Sequence, residues 1–403
     1  MIVPITRSSR LAFKSWLISL VFAGTLHGQH LTISDPHGKA RLPEVVEVSL
    51  TDLRQHIQNI DNLVAENALT HEKLVTQIYS SPNSTEPDKL LIAVHIPASG
   101  KLGIDFVARD SSDEPKPLVF GREAPERKDD FAWENQYVTY RVYGPALEAT
   151  GEITSGIDVW SKRVPNFVID SFYKHDAEGQ RTHNPRLSYH VDDGVGLDSY
   201  LVGPTRGCGG TGVLSGGKLW VSKNYTHLKQ LSSGPVRFEF ELTYAPWNAD
   251  GVEVTEAKRI TLDAGSRMNR IQSTFTFFGP QTIDAVAGLA IHADADFKQL
   301  AEGHVLSVWD TPQNPTAGRI ATGLLAAPSQ HSSATQLDPN GLLVFRVHSG
   351  ESFTYYAGSA WSKADMPTRE AWDSYLTTTR QQLQEPLRIQ WQNARVKHIT
   401  GKQ

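Results

Sequence analysis

Alternation of apolar and polar residues with a period of two dominates this chain, which predicts half-buried antiparallel β-strands. In the run 236–244, every second residue from Val236 to Tyr244 is apolar and the residues between them are polar. The same alternation predicts strands at 90–96, 252–262, 271–277 and 343–347, with a turn at 263–266. Short strands separated by Gly, Pro, Asn and Asp are typical of a β-sandwich.

Few segments show helical periodicity. After Pro367, Thr368 is a candidate N-cap, an apolar face runs from Trp372 to Leu383, and Pro386 ends the segment. A weaker helical pattern covers residues 53–69. The predicted fold class is therefore all-β, a large antiparallel β-sandwich with few short helices.

The chain shows no internal repeat, low-complexity linker or break in composition. We therefore expect one sandwich domain over residues 29–403. The alternative is a small N-terminal sheet within residues 29–120 that packs on a larger sandwich.

The N-terminus carries a targeting pattern. Arg7, Arg10 and Lys14 precede an apolar run at 15–24 that is too short to span a bilayer. We predict a signal peptide over residues 1–28 and export to the periplasm or the extracellular space, the alternative being an anchor left in place. No later run approaches membrane-spanning length, so we expect a soluble mature chain without a membrane partner.

The charge and cysteine content bear on which partners and which chemistry we expect. The formal net charge is −5, and without a basic excess we expect no nucleic-acid partner. The single cysteine, Cys208, cannot form an internal disulfide. Glycines flank it, and no CxxC partner or helix start lowers its pKa, so burial in a tight turn is favoured over a nucleophilic role.

Two segments combine aromatic and polar residues in ways that suit a saccharide. If residues 131–143 form one strand, four of them share a face on which rings can stack while amide and guanidinium groups bind hydroxyls and carboxylates. These candidate binding residues are Trp133, Asn135, Arg141 and Tyr143. The alternative is a solvated outer face. Further along, Lys162 beside Arg163 could bind an anionic ligand, although such pairs are usually surface residues.

The strongest candidate site is the segment 189–212, which concentrates groups that can move protons among many glycines. His190 can exchange a proton near neutral pH, and a tyrosine can do so if a cation lowers its pKa. The alternative is a glycine-rich structural loop. The segment holds Tyr189, His190, Asp192, Asp193, Asp198, Tyr200 and Arg206.

Common cofactor and metal motifs do not occur. The glycines at 207–212 lack the lysine of a phosphate loop, and there is no HExxH, GxSxG or cysteine-rich metal motif. A structural calcium held by Asp192, Asp193 and Asp198 is not excluded, although the spacing is not that of an EF-hand. We predict no metal at the active site and no organic cofactor.

Several strings together resemble a family of secreted proteins from polysaccharide-degrading bacteria, described as domain of unknown function 4861. The resemblance covers most of the mature chain and implies a sandwich similar to galactose mutarotases and some polysaccharide lyases. Members of similar sequence occur in loci for ulvan and other uronate-containing glycans. The resemblance implies oligosaccharide dehydration as one activity. The strings are 131–135, 141–145, 156–160, 189–194, 197–200, 202–203, 206–210 and 355–358 with Trp361.

Dehydration of a terminal uronate removes the C5 proton and the C4 hydroxyl and leaves a 4,5-unsaturated sugar. The C5 proton becomes acidic only if a cation neutralises the neighbouring carboxylate, because charge builds up there in the transition state. Arg141 or Arg206 could supply that cation, with Asn135 assisting.

The remaining roles follow from side-chain chemistry. His190 is the first candidate for the base and Tyr200 the second, and Tyr189 or Tyr143 could protonate the leaving hydroxyl. Asp193 or Asp198 could orient His190, and Trp133 could stack on the sugar. The expected partner is an acidic oligosaccharide. The oligomeric state is not predicted.

Three other functions fit the same residues. A polysaccharide or oligosaccharide lyase would use them to expel a sugar by β-elimination, whereas a sugar-binding protein would only present a surface. An epimerase or mutarotase is the third. Reaction products separate them, because a dehydratase creates unsaturated uronate without shortening the chain, and a lyase shortens it.

Overall fold

The computed structural model describes residues 30–57, 60, 63–82, 84–109, 114–312 and 314–392. The predicted signal peptide at 1–28 therefore lies outside the described residues. Strands and helices are numbered here in chain order. The strands are β1 (His30–Ser34), β2 (Glu44–Ser49), β3 (Leu63–Asn67), β4 (Thr76–Tyr79), β5 (Lys89–Val94), β6 (Lys101–Ala108), β7 (Val119–Ala124), β8 (Asp130–Asn135), β9 (Thr139–Val142), β10 (Asp158–Lys162), β11 (Gly196–Leu197), β12 (Cys208–Ser215), β13 (Lys218–Trp220), β14 (His227–Ser233), β15 (Arg237–Thr243), β16 (Trp247–Ala249), β17 (Val252–Asp263), β18 (Met268–Phe277), β19 (Thr282–Ala290), β20 (Asp296–Leu300), β21 (Val305–Asp310), β22 (Ile320–Ala326), β23 (Ser333–Leu337), β24 (Asn340–His348), β25 (Ser352–Trp361) and β26 (Arg388–Gln392). The α-helices are α1 (Leu50–His56), α2 (Pro145–Glu148), α3 (Ile169–Thr182) and α4 (Arg369–Gln384), and short 3₁₀ helices lie at Pro125–Arg127, Pro185–Leu187, Ala301–Gly303 and Pro315–Ala317.

The strands form antiparallel sheets, which confirms the predicted all-β sandwich with few helices. The largest sheet has the order β14-β15-β17-β18-β25-β22-β21-β20, with β16 beside β17. A second sheet, β13-β12-β19-β24-β23, covers it. Side chains from both sheets form one core, in which Phe345 of β24 stacks on Phe353 of β25 at 4.8 Å.

The alternating run at 236–244 becomes β15, and its apolar residues lie in this core. On the polar face of β15, Arg237 and Glu239 are buried as well, because the N-terminal strands pack on them. Tyr79 Oη of β4 donates to Glu239 Oε1 at 3.1 Å, and Gln77 Oε1 accepts from the amide of Arg237 at 2.7 Å.

The strands within residues 30–108, together with the C-terminal strand β26, form two small sheets, β26-β1-β6-β3 and β2-β5-β4. An apolar cluster that includes Leu31, Ile92 and Ile104 lies between them. The domain boundaries expected from the sequence, one unit over 29–403 or a subregion ending near 120, stay predictions.

The predicted helix after Pro367 is α4, and Thr368 Oγ1 accepts from the amide of Ala371 at 3.2 Å as its N-cap. The helix predicted over 53–69 is wrong, since α1 ends at His56 and residues 63–67 pair with β6 instead. No helix within the described ranges is long and apolar enough to cross a membrane.

The strand predicted over 131–143 is a hairpin of β8 and β9. Asn135 Oδ1 accepts from the amides of Tyr137 and Val138 at 2.9 and 3.3 Å, which stabilises the turn between the two strands. The turn changes which side chains share a face. Trp133 therefore points into the core and stacks on Tyr140 at 5.5 Å, so the predicted common binding face does not form.

Candidate active site

The sheet β11-β10-β9-β8-β7 carries a buried cluster centred on Arg141 of β9. The guanidinium Nη2 lies 2.6 Å from Asp158 and 3.3 Å from Asp198, and Nη1 lies 3.5 Å from Asp130. Register places Asp158 directly across from Arg141, and Asp198 follows β11. Three carboxylates thus surround one cation.

Burial governs the protonation of these carboxyl groups. It raises the pKa of Asp130 to about 7, even though Arg141 and Arg127 act in the opposite direction. Burial, together with the nearby charge of Asp158, also raises the pKa of Asp198 well above its usual value. The site can therefore hold a proton near neutral pH.

Aromatic rings enclose the guanidinium of Arg141. Its Cζ lies 4.9 Å from the ring centroid of Tyr143, 5.4 Å from that of Trp160 and 5.8 Å from that of Tyr189. Tyr143 Oη donates to Asp158 at 2.9 Å. With these partners and 6% of its side chain exposed, Arg141 holds the sheet and the Asp198 loop together. The structure therefore argues against the predicted contacts of Arg141 and Tyr143 with a ligand.

His190 lies at the surface above this cluster, with 60% of its side chain exposed. Its Nδ1 lies 2.9 Å from the backbone carbonyl oxygen of Asp198. A carbonyl oxygen only accepts, so Nδ1 carries the proton of the neutral ring and Nε2 has a free lone pair. The Asp198 carboxylate is 3.8 Å from Nδ1, and the Tyr189 ring is 4.6 Å from the imidazole.

His190 and Tyr189 line an open depression of about 590 Å³ beside the C-terminal end of α3. Its other lining residues are mostly polar and include Arg127, His183 and Asn184. The side chain of Arg127 is 34% exposed, and its guanidinium lies 3.2 Å from Glu152 and 3.8 Å from Asp130. Arg127 was not predicted from the sequence, because a pair of basic residues followed by aspartates resembles an ordinary surface run.

Two other predicted binding residues, Trp133 and Asn135, are buried and form hydrogen bonds within the fold. Trp133 is 0% exposed and its Nε1 donates to Asn269 at 2.8 Å, so it cannot stack on a ligand. Asn135 Nδ2 donates to the carbonyl oxygens of Asp263 and Ser266 at 2.9 and 2.6 Å. Both predictions of ligand contact are therefore corrected.

The predicted cations Lys162 and Arg206 are also buried. Lys162 Nζ lies 2.7 Å from Glu134, and both side chains are 0% exposed. Arg206 Nη1 donates to Ser155 Oγ at 2.9 Å inside the core, and burial lowers the pKa of Arg206 to about 10. Neither cation faces a surface on which a uronate could bind.

The acidic residues of the loop 192–198 have separate partners. Asp192 contacts Arg163, and Asp193 Oδ1 accepts from the amide of Val195 at 3.0 Å within an exposed turn. Asp193 is therefore not the residue that orients His190. Across residues 30–392, as far as they are described, no group of three His, Cys, Asp or Glu is placed to hold a metal ion.

Tyr200 lies away from His190, beside a second cavity of about 290 Å³. Burial raises the pKa of Tyr200 well above 10, which disfavours it as a base. Its ring meets that of His292 edge-on at 5.6 Å. His292 and its partner Asp310 were not predicted from the sequence, because only the fold brings them together.

Cys208 is fully buried, and its Sγ donates to the carbonyl oxygen of Gly358 at 3.3 Å. Burial raises the pKa of this thiol, so it has no nucleophilic character. The predicted packing role is therefore the one that the structure supports.

Three comparisons place the chain among known proteins. It is 28% identical over 376 residues to a Formosa agariphila protein named uncharacterized protein P7, covering 89% of this chain and 92% of the relative. An α-mannosidase from Enterococcus faecalis V583 aligns with a TM-score of 0.47 at 8% identity, over 92% of this chain and 46% of that one.

A second Enterococcus faecalis structure, a protein in glycosyl hydrolase family 38, aligns with a TM-score of 0.47 at 9% identity, over 92% of this chain and 48% of that one. The chain thus spans a little under half the length of both bacterial structures. Similarities of this size do not establish a shared activity. The family model of a domain of unknown function, DUF4861, matches residues 33–389, and the chain therefore belongs to that family.

Proposed function

We propose that this protein is a carbohydrate-active enzyme that removes water from terminal uronate residues of acidic oligosaccharides. The observation that carries the proposal is the exposed Nε2 of His190, whose lone pair faces solvent because Nδ1 donates to the Asp198 carbonyl oxygen. A histidine held in one tautomer at the edge of a polar depression is suited to general-base catalysis.

In the proposed reaction, Nε2 of His190 takes the C5 proton of the uronate. The electron pair of the broken C5–H bond forms the C4=C5 double bond, and the C4–O bond breaks. The leaving hydroxyl is protonated and departs as water, so no oxidant or further reactant is needed.

A proton donor for the leaving hydroxyl is available in Tyr189. Burial raises the pKa of this phenol, which keeps it protonated at neutral pH, and Tyr189 lines the depression beside His190. A protonated phenol can serve as a general acid.

Two groups would stabilise the developing charges. Arg127 lines the depression and could pair with the uronate carboxylate, on which negative charge builds as C5 loses its proton. The backbone carbonyl oxygen of Asp198, 2.9 Å from Nδ1, would stabilise the imidazolium that forms at His190. The role first given to Arg141 or Arg206 thus passes to Arg127.

The proposal includes export of the mature chain, since acidic polysaccharides are met outside the cytoplasm. Protein recovered from its native host should begin between residues 24 and 31. Intact Met1 in a cytoplasmic fraction would contradict export.

The test compares His190→Ala and Arg127→Ala with His227→Ala, an exposed histidine on β14. Uronate oligosaccharides are incubated with each variant, and unsaturated-uronate absorbance and chain length are measured together. We expect His190→Ala to lower the rate by roughly 10²–10⁴ with unchanged melting. Arg127→Ala should weaken binding and slow the reaction, and His227→Ala should match the parent protein.

Other products, or an active His190 variant, would favour other functions or another base. Absorbance with shortened chains would favour the lyase, and absence of any new absorbance would favour a binding protein or an epimerase. Full activity in folded His190→Ala would remove His190 as the base.

A further inference from the structure

A second cavity, of about 290 Å³, lies apart from the His190 depression, and the two share no lining residue. Three short segments form it, namely 199–201, 292–294 and 310–312. This volume is near the lower end for small-molecule pockets, which suits a ligand of one small ring.

Three buried side chains that line this cavity carry oxygen atoms without a hydrogen-bond partner among the described residues. They are Ser199 Oγ, Tyr200 Oη and Asp310 Oδ1. These residues are 7%, 7% and 1% exposed, and the Tyr200 hydroxyl also lies near the hydroxyl of Thr322. Buried polar atoms in folded proteins are nearly always paired, so a group that enters the cavity should supply the partners.

His292 does not supply them, because both of its ring nitrogens are engaged. Nδ1 contacts Asp310 Oδ2, and Nε2 lies 2.7 Å from the carbonyl oxygen of Leu201. The carbonyl can only accept, so the Nε2 proton is directed away from a ligand. What the cavity offers is one carboxylate oxygen that accepts and two hydroxyls that can do either.

This set matches adjacent hydroxyl groups of an uncharged sugar. An anion would be repelled by Asp294, which also lines the cavity, whereas the charge of Asp310 is offset by His292. Leu201, 48% exposed, and Pro312 add apolar surface for the carbon face of a ring. We propose that this cavity is a binding subsite for one neutral pyranose residue, distinct from the depression that holds the uronate.

The test measures binding rather than turnover, so its outcome is independent of whether His190 is a base. Methyl glucoside, methyl galactoside, methyl xyloside and, as the charged counterpart, methyl glucuronoside are titrated into the full mature chain by calorimetry. The comparison is made in Arg127→Ala, whose His190 depression lacks its cation for a carboxylate, and there we expect at least one neutral glycoside to bind about tenfold or more tightly than the glucuronoside.

Variants locate the binding. Tyr200→Phe and Ser199→Ala each remove one hydroxyl and should weaken neutral-glycoside binding by about threefold to tenfold, the effect of one lost hydrogen bond. Ala293→Trp should fill the cavity and abolish binding. Arg127→Ala, in the other depression, should have no effect.

Three results would overturn the proposal: no neutral glycoside binds, binding is unchanged by Ala293→Trp, or the glucuronoside binds Arg127→Ala as tightly as the neutral sugars do. A crystal structure grown with the glycoside in which this cavity holds only ordered water would also overturn it. If Tyr200→Phe melts early, Ser199→Ala and Ala293→Trp still decide the matter.

Discussion

The side chain of His190 is anchored by the main chain of Asp198, since Nδ1 lies 2.9 Å from the Asp198 carbonyl oxygen. The amide of Asp198 in turn donates to the carbonyl oxygen of Tyr189 at 2.8 Å. These two contacts tie the loop that carries the imidazole to the segment after β11. The orientation of the ring therefore depends on backbone rather than on a second side chain.

This anchoring predicts that the tautomer of His190 survives loss of the Asp198 carboxylate. In Asp198→Asn the backbone acceptor remains, so ¹⁵N NMR of the neutral ring should still show the proton on Nδ1. The rate should stay within about threefold of the parent, because burial raises the pKa of the Asp198 carboxyl and asparagine replaces a neutral group of similar size. Asp193→Asn in the exposed turn is the matched control, and a tenfold or greater loss of rate in Asp198→Asn alone would show that the Asp198 side chain acts as a negative charge.

Breaking the buried ion pair between Lys162 and Glu134 should lower the free energy of unfolding by several kcal/mol. Glu134 accepts from the amide of Ile169 at 2.9 Å as well as from Lys162 at 2.7 Å. Glu134→Gln leaves an unpaired buried cation, so urea unfolding should show a loss of about 3–5 kcal/mol. The exposed pair Arg181–Glu178 is the control, where Glu178→Gln should cost less than about 1 kcal/mol. Equal losses would contradict the burial argument.

Asp130 should make the protein less stable as pH rises. Burial raises the pKa of its carboxyl to about 7 in the folded state, above the usual value near 4. The folded state holds the proton more tightly, so this group lowers the free energy of unfolding as pH rises from about 4 to 7. Asp130→Asn should flatten that dependence in urea unfolding at pH 4.5 and pH 8. An identical pH profile in the variant would exclude the raised pKa.

His292 should stabilise the folded state in its protonated, charged form, whereas burial favours the protonated, neutral form of Asp130. Its hydrogen bond to Asp310 raises its pKa above the usual value near 6.5. The contribution is complete below the unfolded-state pKa and is lost as pH rises through the higher folded-state pKa. The melting difference between the parent protein and His292→Gln should therefore be larger at pH 6 than at pH 9. A difference independent of pH would show that the ring is not protonated in the folded state.

Local patterns predicted the elements that depend on neighbouring residues. The alternation at 236–244 and the Thr368 cap both correspond to observed elements, β15 and α4. Helix α3 was not predicted, because its first amides are capped by Glu134, 34 residues earlier in the chain. A capping carboxylate at that distance leaves no local signal.

The candidate site shows the same limit. Tyr189, His190 and Asp198 come from one segment, and the structure brings them together with Arg141 and Tyr143. The composition of that segment could not reveal which members are buried. Arg206 was expected at a ligand but lies in the core, whereas His292 reaches Leu201 across 91 residues.

The burial of Cys208 makes the reactivity of its thiol a probe of the opening of the fold. The thiol is the only one in the chain and lies in the core between the two large sheets. A thiol-modifying reagent can reach it only when those sheets separate, because the thiolate must be both exposed and ionised to react. The rate of alkylation in native buffer would then report how often the sandwich opens, without any introduced label.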